Sequence, residues 1–586
     1  MRSKISSYNI LEYILLLFPI AMVCSNFLMS MADVFLGAFG LVYAIKYFKE
    51  NKNITFKEFV KNRKPQIIFL GIYVISIIGL IYTSNFTFAF RELNTKLPLL
   101  FFPIVFLFIP EIKESTVKKI IYVHSFALLV ASLVIVYNTF SSNATDDFRD
   151  TYPFISHIRL SLNYCASIFF LLYNFIVERN LSKRNKALIL SAVAWFIIVL
   201  CLMKSATGMF IIVLLFLFIV LSRKFFSTLS KKLRTSIVVS LISVALICIG
   251  FFVYSYVRYY KINAYDINDL PEYTLNGNKY NNDISKGLIE EGDNFRILVC
   301  EEEMRKEWNS LSNVAYDSVT NGIPLKATLI RYLNSLDYTK DSIGVHKLNC
   351  EQRKQIEDGF ANFNYTKDFG FYSRMSMFFF SYEMFKKTGN PSGSTLFQRL
   401  YFWKAGFIVW KEHPLFGVGT GDLRDELNRV YKEQFPELKS EYHHSIHNQY
   451  FYYAIANGIF GLIIFVFCLI YPGKINGKAH DYHWRFFLIL IMLSMLTEDT
   501  LGTQAGVTFF TFFYFVFLFK KEPEIPERSF ETLVADKTDK ADKVDKADKV
   551  DKTDKVDKAD KADIADEVDK TDKAVEDSRR EFRSVT

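Results

Sequence analysis

Proline and glycine are scarce in this chain, which has 14 Pro and 25 Gly in 586 residues. That scarcity excludes a collagen-like chain, and a hydrophobic content of 51% excludes a largely disordered one. Charged residues are rare within several apolar runs of roughly 20 residues, the length that crosses the apolar core of a bilayer as a helix. The sequence therefore predicts an all-α polytopic membrane protein.

Uncharged apolar stretches predict about twelve transmembrane helices. They lie near residues 10–28, 30–47, 66–83, 97–110, 119–140, 160–178, 187–203, 208–222, 236–254, 449–471, 484–497 and 502–519. The fourth stretch is short and contains Pro98 and Pro103, so we expect it to be tilted or half buried in protein.

Basic residues are concentrated in every second connection between these spans. They cluster in the loops after spans two, four, six and eight, whereas the intervening short loops hold far fewer. Because loops rich in Lys and Arg resist translocation, the pattern places those loops and both termini in the cytoplasm. The resulting division is a membrane domain over 1–254, a large outer loop domain over 255–448, a second membrane part over 449–519 and a tail over 520–586.

The tail consists largely of triplets in which Ala, Val or Thr is followed by Asp and Lys, from residue 535 to 573. A period of three drifts around a helix by about 60° per repeat, so its apolar positions form no continuous face. We expect a low-complexity, disordered and solvated cytoplasmic tail.

The outer loop contains two features whose structural role the sequence leaves open. Cys300 and Cys350 lie there, and an oxidising compartment would permit a disulfide between them. Residues 394–412 predict an amphipathic helix, which would either contact the membrane interface or pack in the core of the outer domain. The residues that define its apolar face are Leu396, Leu400, Trp403, Phe407 and Trp410.

Charged groups are nearly absent from the predicted spans, where they would mark a transport path. His124 is alone in the fifth span, and a hydrogen bond between helices is favoured over a proton relay. Polar residues gather instead at the predicted outer face: Arg91, Lys96, His157, Arg159, Lys204, Arg399, His443, His444 and His447. A basic, outward-facing pocket suits an anionic substrate.

Residues 204–208 (KSATG) interrupt an apolar run at the outer end of the seventh span. Lys204 offers an ammonium group and Ser205 a hydroxyl, and both suit a phosphate oxygen. The alternative is a short loop whose lysine reaches the membrane surface.

Residues 441–461 (EYHHSIHNQYFYYAIANGIFG) place several histidines directly before the tenth span. On a helix, His443 and His447 would share one face, as would His444 and Asn448. No HExxH motif or set of Cys and carboxylate ligands accompanies them, so we predict no metal site. A neutral imidazole at a membrane surface suits instead the removal of a proton from a sugar hydroxyl.

Several of these segments together resemble the O-antigen ligase family, which is related to O-antigen polymerases and to some protein O-oligosaccharyltransferases. The family pattern is matched by His447 and Asn448, followed after nine residues by Gly458 and then Gly461. Upstream, the resemblance extends over Arg399, Trp403, Gly406 and residues 414–422 (PLFGVGTGD). The chain departs from the family at residues 204–205, where it has Lys-Ser and the family often has Ser-Arg.

The resemblance implies an inverting, metal-independent and cofactor-free membrane glycosyltransferase in the bacterial inner membrane. Its partners would be an undecaprenyl-diphosphate-linked glycan donor, a lipid A-core or other glycan or protein acceptor, and membrane lipids, with no nucleic acid. His447 and Arg399 would be catalytic. The substrate-binding residues would be Lys204, Ser205, Arg159, Arg91, His443, His444 and Asn448.

Three kinds of enzyme in this group share one donor and differ in acceptor, and the sequence does not separate them: ligase, repeat-unit polymerase and protein glycosyltransferase. O-antigen ligase is the preferred expectation. A polysaccharide transporter or flippase is the alternative outside the enzymes, and it predicts polar residues at the bilayer midplane and repeated halves. Neither feature is evident in the sequence.

Overall fold

The computed structural model describes residues 7–141, 152–178, 181–203, 205–221, 231–261, 270–282, 289–291, 293–320, 323–367, 371–391 and 394–521. Helices make up 73% of the structure and there is almost no sheet, which confirms the predicted helical class. Contacts along the chain divide it into Met1–Lys521 and Glu522–Thr586. The second unit, and with it nearly all of the predicted tail, lies outside the described residues.

The first half of the chain forms eleven described helices. Their bounds are α1 Ser7–Cys24, α2 Asn26–Glu50, α3 Phe56–Asn62, α4 Lys64–Ile78, α5 Phe86–Thr95, α6 Pro98–Val105, α7 Glu114–Ser141, α8 His157–Val177, α9 Lys183–Leu202, α10 Ala206–Leu221 and α11 Lys231–Tyr260. The last three apolar helices are α20 Gln449–Ile475, α21 Tyr482–Thr497 and α22 Gln504–Leu518.

Each predicted span falls mainly on one of these helices, but the helices differ in length. Among the described residues, seven are long and apolar enough to cross a bilayer, namely α1, α2, α7, α8, α9, α11 and α20. Four more are apolar but shorter, namely α4, α10, α21 and α22. The fourth predicted span contains only α6, whose eight residues include Pro98 at its start and Pro103 inside. The chain is thus a membrane protein of many apolar helices, and the count of twelve stays a prediction.

Helix α22 lies at the centre of the bundle. Every residue from Gly506 to Leu518 is buried, so this helix is enclosed on all sides by protein. Such burial explains its sequence, which is aromatic and apolar around the whole circumference rather than on one stripe. Its ring contacts include Phe512 with Phe18 of α1 at 4.7 Å and Tyr514 with Phe69 of α4 at 4.7 Å between ring centroids.

Helix α20 is broken at Gly458, whose φ of 67° and ψ of −172° are not helical. The break frees backbone groups, and the loop of residues 414–421 supplies their partners. The carbonyl of Ile455 accepts from the Val418 amide at 3.0 Å, and the Ile459 amide donates to the Pro414 carbonyl at 2.9 Å. A helix can be interrupted at membrane depth where other protein groups satisfy its backbone in this way.

The segment between α11 and α20, which the sequence predicts to lie outside the membrane and which we call the outer segment, contains short elements. Its strands are β1 Ile289–Glu290, β2 Asp293–Asn294, β3 Val319–Thr320 and β4 Ile323–Pro324, and they pair as two antiparallel hairpins, β1 with β2 and β3 with β4. Its helices are α12 Glu301–Leu311, α13 Leu325–Asn334, α14 Ser342–His346, α15 Cys350–Glu357, α16 Asn364–Lys367, α17 Phe371–Thr388, α18 Thr395–Glu412 and α19 Leu423–Gln434.

Different parts of the outer segment belong to two separate hydrophobic cores. One surrounds the fully buried Trp308 and Tyr332 and draws on residues between 295 and 356. The other is the core of the apolar helices, which α18 and α19 join through residues such as Phe402 and Tyr431. The end of the outer segment is therefore packed with the membrane helices rather than with the small domain that precedes it.

Helix α18 has the predicted bounds but buries the face opposite to the predicted one. Phe397, Tyr401, Phe402, Ala405 and Val409 are its buried apolar residues. The predicted apolar face is largely exposed, at 52% for Leu396, 42% for Leu400, 39% for Trp403 and 46% for Phe407. Packing within an outer-domain core does not account for that face, and its contact with the membrane interface stays a prediction.

Two further expectations concern His124 and the cysteines. His124 is buried in α7, and its Nε2 lies 2.8 Å from Oδ1 of Asn163 in α8, so it makes the favoured contact between helices. Cys300 and Cys350 are free thiols in the structure, the first buried and the second exposed. The disulfide that the sequence left open is not formed.

The substitution Gly458→Ala tests the broken helix. A Cβ at this position would lie 2.0 Å from the Leu415 carbonyl oxygen on a backbone with positive φ. We expect the variant to lose at least about 2 kcal/mol of stability, measured as a lower melting temperature of the purified protein. The matched control is Gly250→Ala in α11, where a Cβ meets no atom within 4 Å and should cost nothing. Equal melting temperatures of both variants would contradict the close packing of Gly458 against Leu415.

Candidate functional site

Two adjacent carboxylates, Glu498 and Asp499, lie between α21 and α22. They follow the end of α21, where the Glu498 amide donates to the Ser494 carbonyl and closes the helix. Their side chains and backbone contact α8, α18 and the segment that precedes α20. They are therefore the point at which residues distant in sequence meet.

Glu498 joins the two residues predicted to be catalytic. Its Oε1 accepts a hydrogen bond from an Nη2 of Arg399 at 2.6 Å, and its Oε2 lies 3.5 Å from Nδ1 of His447. The carboxylate is only 5% exposed, whereas the arginine and histidine side chains are 26% and 33% exposed. The buried acid thus holds two groups that remain open to solvent on their other sides.

The charge of this cluster is set by its pairing. Burial by itself would raise the pKa of Glu498, but the hydrogen bond with His447 and the positive charge of Arg399 outweigh burial and lower it. A buried carboxylate stays ionised only where it is paired and hydrogen-bonded in this way. Glu498 consequently presents a full negative charge to the imidazole of His447.

Local backbone structure positions each member of the cluster. Arg399 lies in the first half of α18, and Gly406 allows that helix to approach the segment before α20 so closely that a Cβ would lie 2.7 Å from Ile446 Cδ1. The Trp403 indole donates to the Ile446 carbonyl at 3.1 Å and fixes the segment before α20. His447 has a φ of 49°, a value that non-glycine residues adopt rarely and often at functional sites.

Asp499 organises the backbone around His447. Its Oδ1 accepts from the Asn448 amide at 3.0 Å, and its Oδ2 accepts from the hydroxyl of Ser445. Its carbonyl oxygen accepts a hydrogen bond from Nη2 of Arg159 at 2.7 Å. This one residue therefore connects the histidine-containing loop to the first turn of α8.

Arg159 is the second cation of the cluster. Its Nε donates to the Thr503 hydroxyl at 3.1 Å, and the residue is only 8% exposed. Its Nη1 is buried and has no hydrogen-bond partner among the described residues. The guanidinium keeps a donor that the surrounding protein leaves unused, which is what an arginine at an anion site requires.

The shared helical face that His443 with His447, or His444 with Asn448, would form on a helix does not occur. Helix α20 begins at Gln449, and residues 443–448 form a loop. Asn448 is the N-cap, since its Oδ1 accepts from the Phe451 amide at 3.0 Å, while its Nδ2 donates to the Leu496 carbonyl. The preference of asparagine for this position explains why the helix starts one residue later.

The other two histidines have different surroundings. Nε2 of His443 lies 3.1 Å from the Leu438 carbonyl, and its ring packs on Tyr431 at 4.9 Å between centroids. His444 is exposed, and partial burial together with the charges of His447 and Arg424 lowers its pKa. His444 is thus the one that faces solvent beside His447, and His443 supports the loop.

The remaining predicted site residues do not join this cluster in the described structure. Ser205 is buried, and its Oγ accepts from the Gly208 amide at 3.2 Å at the start of α10. Lys204 lies outside the described residues. Arg91 is exposed on α5, and no contact within the described residues connects it to Glu498. Their proposed part in substrate binding stays a prediction.

Lys96, another basic residue near the predicted outer face, has its ammonium group paired inside the protein. Its Nζ lies 3.0 Å from Glu92 Oε2 and donates to the Tyr452 hydroxyl at 2.9 Å. The residue is 1% exposed, and its ammonium also packs 4.1 Å from the centre of the Tyr452 ring. This buried pair ties α5 to α20 and leaves no free charge for a ligand.

No three or more His, Cys, Asp or Glu side chains within the described ranges are grouped so that they would hold a metal ion. The cluster instead combines two arginines, one histidine and two carboxylates. Sequence reasoning identified the first three and assigned no role to Glu498 and Asp499. The available signal was the adjacent acid pair between the apolar runs 484–497 and 502–519, where an uncompensated charge would be costly.

Residues 361–466 match the family model described as O-Antigen ligase. The match contains Arg399, His447 and the broken α20, so the resemblance predicted from the motif spacing is confirmed over this segment. Together with the apolar helices, it supports a membrane protein with glycosyltransferase-like activity. The curated proteins contain no match to the chain.

Proposed function

We propose that this protein transfers a glycan from undecaprenyl diphosphate to an acceptor hydroxyl at the periplasmic face of the bacterial inner membrane. The observation that carries the proposal is the Arg399–Glu498–His447 cluster, which pairs an ionised, buried carboxylate with a solvent-open imidazole. The match to the O-antigen ligase family supports the choice of a lipid-linked donor. O-antigen ligase is the preferred activity.

His447 is the base in this proposal. With Nδ1 directed at Glu498, Nε2 is left to accept the proton of the acceptor hydroxyl. The hydroxyl oxygen then attacks the anomeric carbon, and the bond from that carbon to the diphosphate oxygen breaks with inversion. Glu498 stabilises the imidazolium that forms, as the acid of a catalytic triad does.

The two arginines stabilise the leaving diphosphate. Arg399 uses one nitrogen for Glu498 and has further N–H groups available, and Arg159 has an unused Nη1. Arginine remains charged throughout and binds phosphate oxygens with a planar fork, so it supplies charge stabilisation and no proton. His447 would thus assist the attacking hydroxyl, and the two arginines would stabilise the leaving diphosphate.

The proposed orientation puts residues 255–448 in the periplasm and both termini in the cytoplasm. It rests on the distribution of Lys and Arg among the connections. The exposed apolar face of α18 is consistent with a site at the membrane surface, because Arg399 lies on the same helix. A lipid-linked donor and a membrane-bound acceptor would both reach such a site.

Deletion of the gene distinguishes the three acceptors. For a ligase, we expect lipid-linked polymer to accumulate while the lipid A-core remains unsubstituted, as seen by gel analysis and mass spectrometry of the surface glycans. Single repeat units on lipid A-core would indicate a polymerase, and loss of protein glycans the third activity. Unchanged glycans in all three fractions would contradict the proposed function.

The substitution His447→Ala tests the base. Turnover should fall by roughly 10² to 10⁴, the usual contribution of general base catalysis, while binding of the lipid-linked donor changes little. Both are measured on purified protein, by transfer kinetics and by equilibrium binding. The control is His480→Ala, an exposed histidine in the turn Lys478–His480, which should retain full activity. Near-wild-type turnover per folded molecule in His447→Ala would remove the base from the mechanism.

The substitution Glu498→Gln tests the positioning role of the carboxylate. The amide keeps the size of the side chain but no longer stabilises the imidazolium, so turnover should fall by roughly 10² to 10⁴. Because the carboxylate acts on the reacting step and not on donor binding, kcat should fall while KM for the donor changes little.

The matched control for Glu498→Gln is Asp481→Asn at the other end of α21. It breaks the ion pair with Lys520, yet asparagine can still cap the helix where Asp481 accepts from the Trp484 amide. That variant should keep the wild-type kcat and KM. If Glu498→Gln lost stability but kept its turnover per folded molecule, Glu498 would be a structural residue only.

A further inference from the structure

A polar cavity of about 210 Å³ lies in the outer segment, apart from the Glu498 cluster. It is formed where the end of α11, the β1–β2 hairpin, the end of α13 and the start of α17 come together. All ten residues that line it carry a polar side chain. This volume is large enough to hold one small polar unit of a ligand.

Asn334 is an unpaired amide in the wall of this cavity. The residue is 7% exposed, and its side chain has no hydrogen-bond partner among the described residues. Its neighbours in the wall differ, since Asn362 donates to Glu290 at 3.3 Å and Asn364 donates to Glu291 at 2.9 Å. This amide therefore offers one donor and one acceptor group to a ligand in the cavity.

The backbone of the cavity is strained at two places. Within the described ranges, four non-glycine residues have positive φ: Glu291, Leu298, Asp337 and His447. Glu291 at 53° and Asp337 at 55° both line the cavity. Strained backbone persists where the surrounding structure enforces it and is concentrated at functional sites, as it is at His447.

The charged side chains around the cavity determine which ligands it favours. Glu290 is neutralised by Arg331, whose guanidinium donates to both of its oxygens at 2.7 and 2.8 Å. The other carboxylates of the wall belong to Glu291, Asp293 and Asp337, and they outnumber the nearby cations Arg258 and Lys340. The excess of carboxylates disfavours acidic sugars and phosphates.

Hydroxyl groups suit this wall best. Each one donates to a carboxylate and accepts from an amide or guanidinium, and Asn334 offers both functions. The ring of Tyr372 completes the cavity, with the guanidinium of Arg258 at 4.0 Å from its centre. Carboxylates, amides and an aromatic ring around one small volume match a sugar ring.

We propose that the cavity bounded by Asn334, Asp337, Glu291 and Tyr372 binds one uncharged or amino-substituted sugar unit of a glycan. The choice of a glycan rests on the proposed function, but the site is separate from the Glu498 cluster. Through α11 and α17 the cavity adjoins both the apolar helices and the small domain. A glycan bound in this cavity by one sugar would stay attached to the outer segment while its reacting end lies outside the cavity.

Direct binding to the full chain in lipid nanodiscs tests the proposal without any transfer reaction. The probes are the glycan released by mild acid from the cells' own lipid-linked donor and the core oligosaccharide released from their lipopolysaccharide. Binding of the first would identify the donor as the source of the sugar, and binding of the second the acceptor. Glucosamine should bind more tightly than glucuronate, as measured by saturation-transfer NMR. Binding of neither glycan, or tighter binding of glucuronate, would overturn the proposal.

Two variants locate the binding in the cavity. Asn334→Leu should weaken it by roughly tenfold, because it removes a hydrogen-bonding group. Asp337→Gly should weaken it similarly while folding at least as well, because glycine accepts positive φ without strain. The matched control is Leu298→Gly, which makes the same change at φ 55° outside the cavity and should leave binding intact.

Unchanged affinity in Asn334→Leu and Asp337→Gly would place the sugar elsewhere and reject the site. Binding that is lost equally in Leu298→Gly would also reject it, since the effect would then be one of stability. A chain that binds sugar in this cavity but transfers none would reject the proposed function and leave the sugar site standing.

Discussion

The pairing of the buried Glu498 with Arg399 and His447 is the interaction on which the rest of the site depends. A carboxylate removed from water requires both opposite charge and hydrogen bonds, and neither α21 nor α22 supplies them. The partners come from α18 and from the loop before α20, so those segments must approach the end of α21. Gly406 in α18 permits that approach, and Asp499 then fixes the loop through Ser445 and Asn448.

The break in α20 contributes to the same arrangement of Arg399, Glu498 and His447. Gly458 interrupts the helix, and residues 414–421 pair with the freed backbone groups. Asp422, directly after this loop, accepts hydrogen bonds from the amides of Ser84 and Asn85 before α5. The loop that connects α18 with α19 is thereby anchored to α20 and α5 at once. The position of Arg399 relative to His447 follows from this anchoring.

The bounds of α18 and the presence of nearly every apolar helix could be predicted from the sequence, because periodicity and charge are local signals. The buried face of α18 could not, since Phe397 and Tyr401 on one side are as apolar as Leu396 and Leu400 on the other. The start of α20 at Gln449 was predicted, but the conformation of the histidine loop was not, because the Asn448 amide is held by Asp499, 51 positions away. The roles of Arg399 and His447 were proposed from the motif, and their link through Glu498 appears only in three dimensions.

The segment that matches the family model ends at residue 466, before α21 begins. It therefore carries the histidine and the arginine but not the acid between them. A fragment cut after that residue would leave Arg399 and His447 without the carboxylate that links them. The proposed catalytic unit in this chain is consequently discontinuous, and its integrity depends on the last two helices as much as on the motif itself.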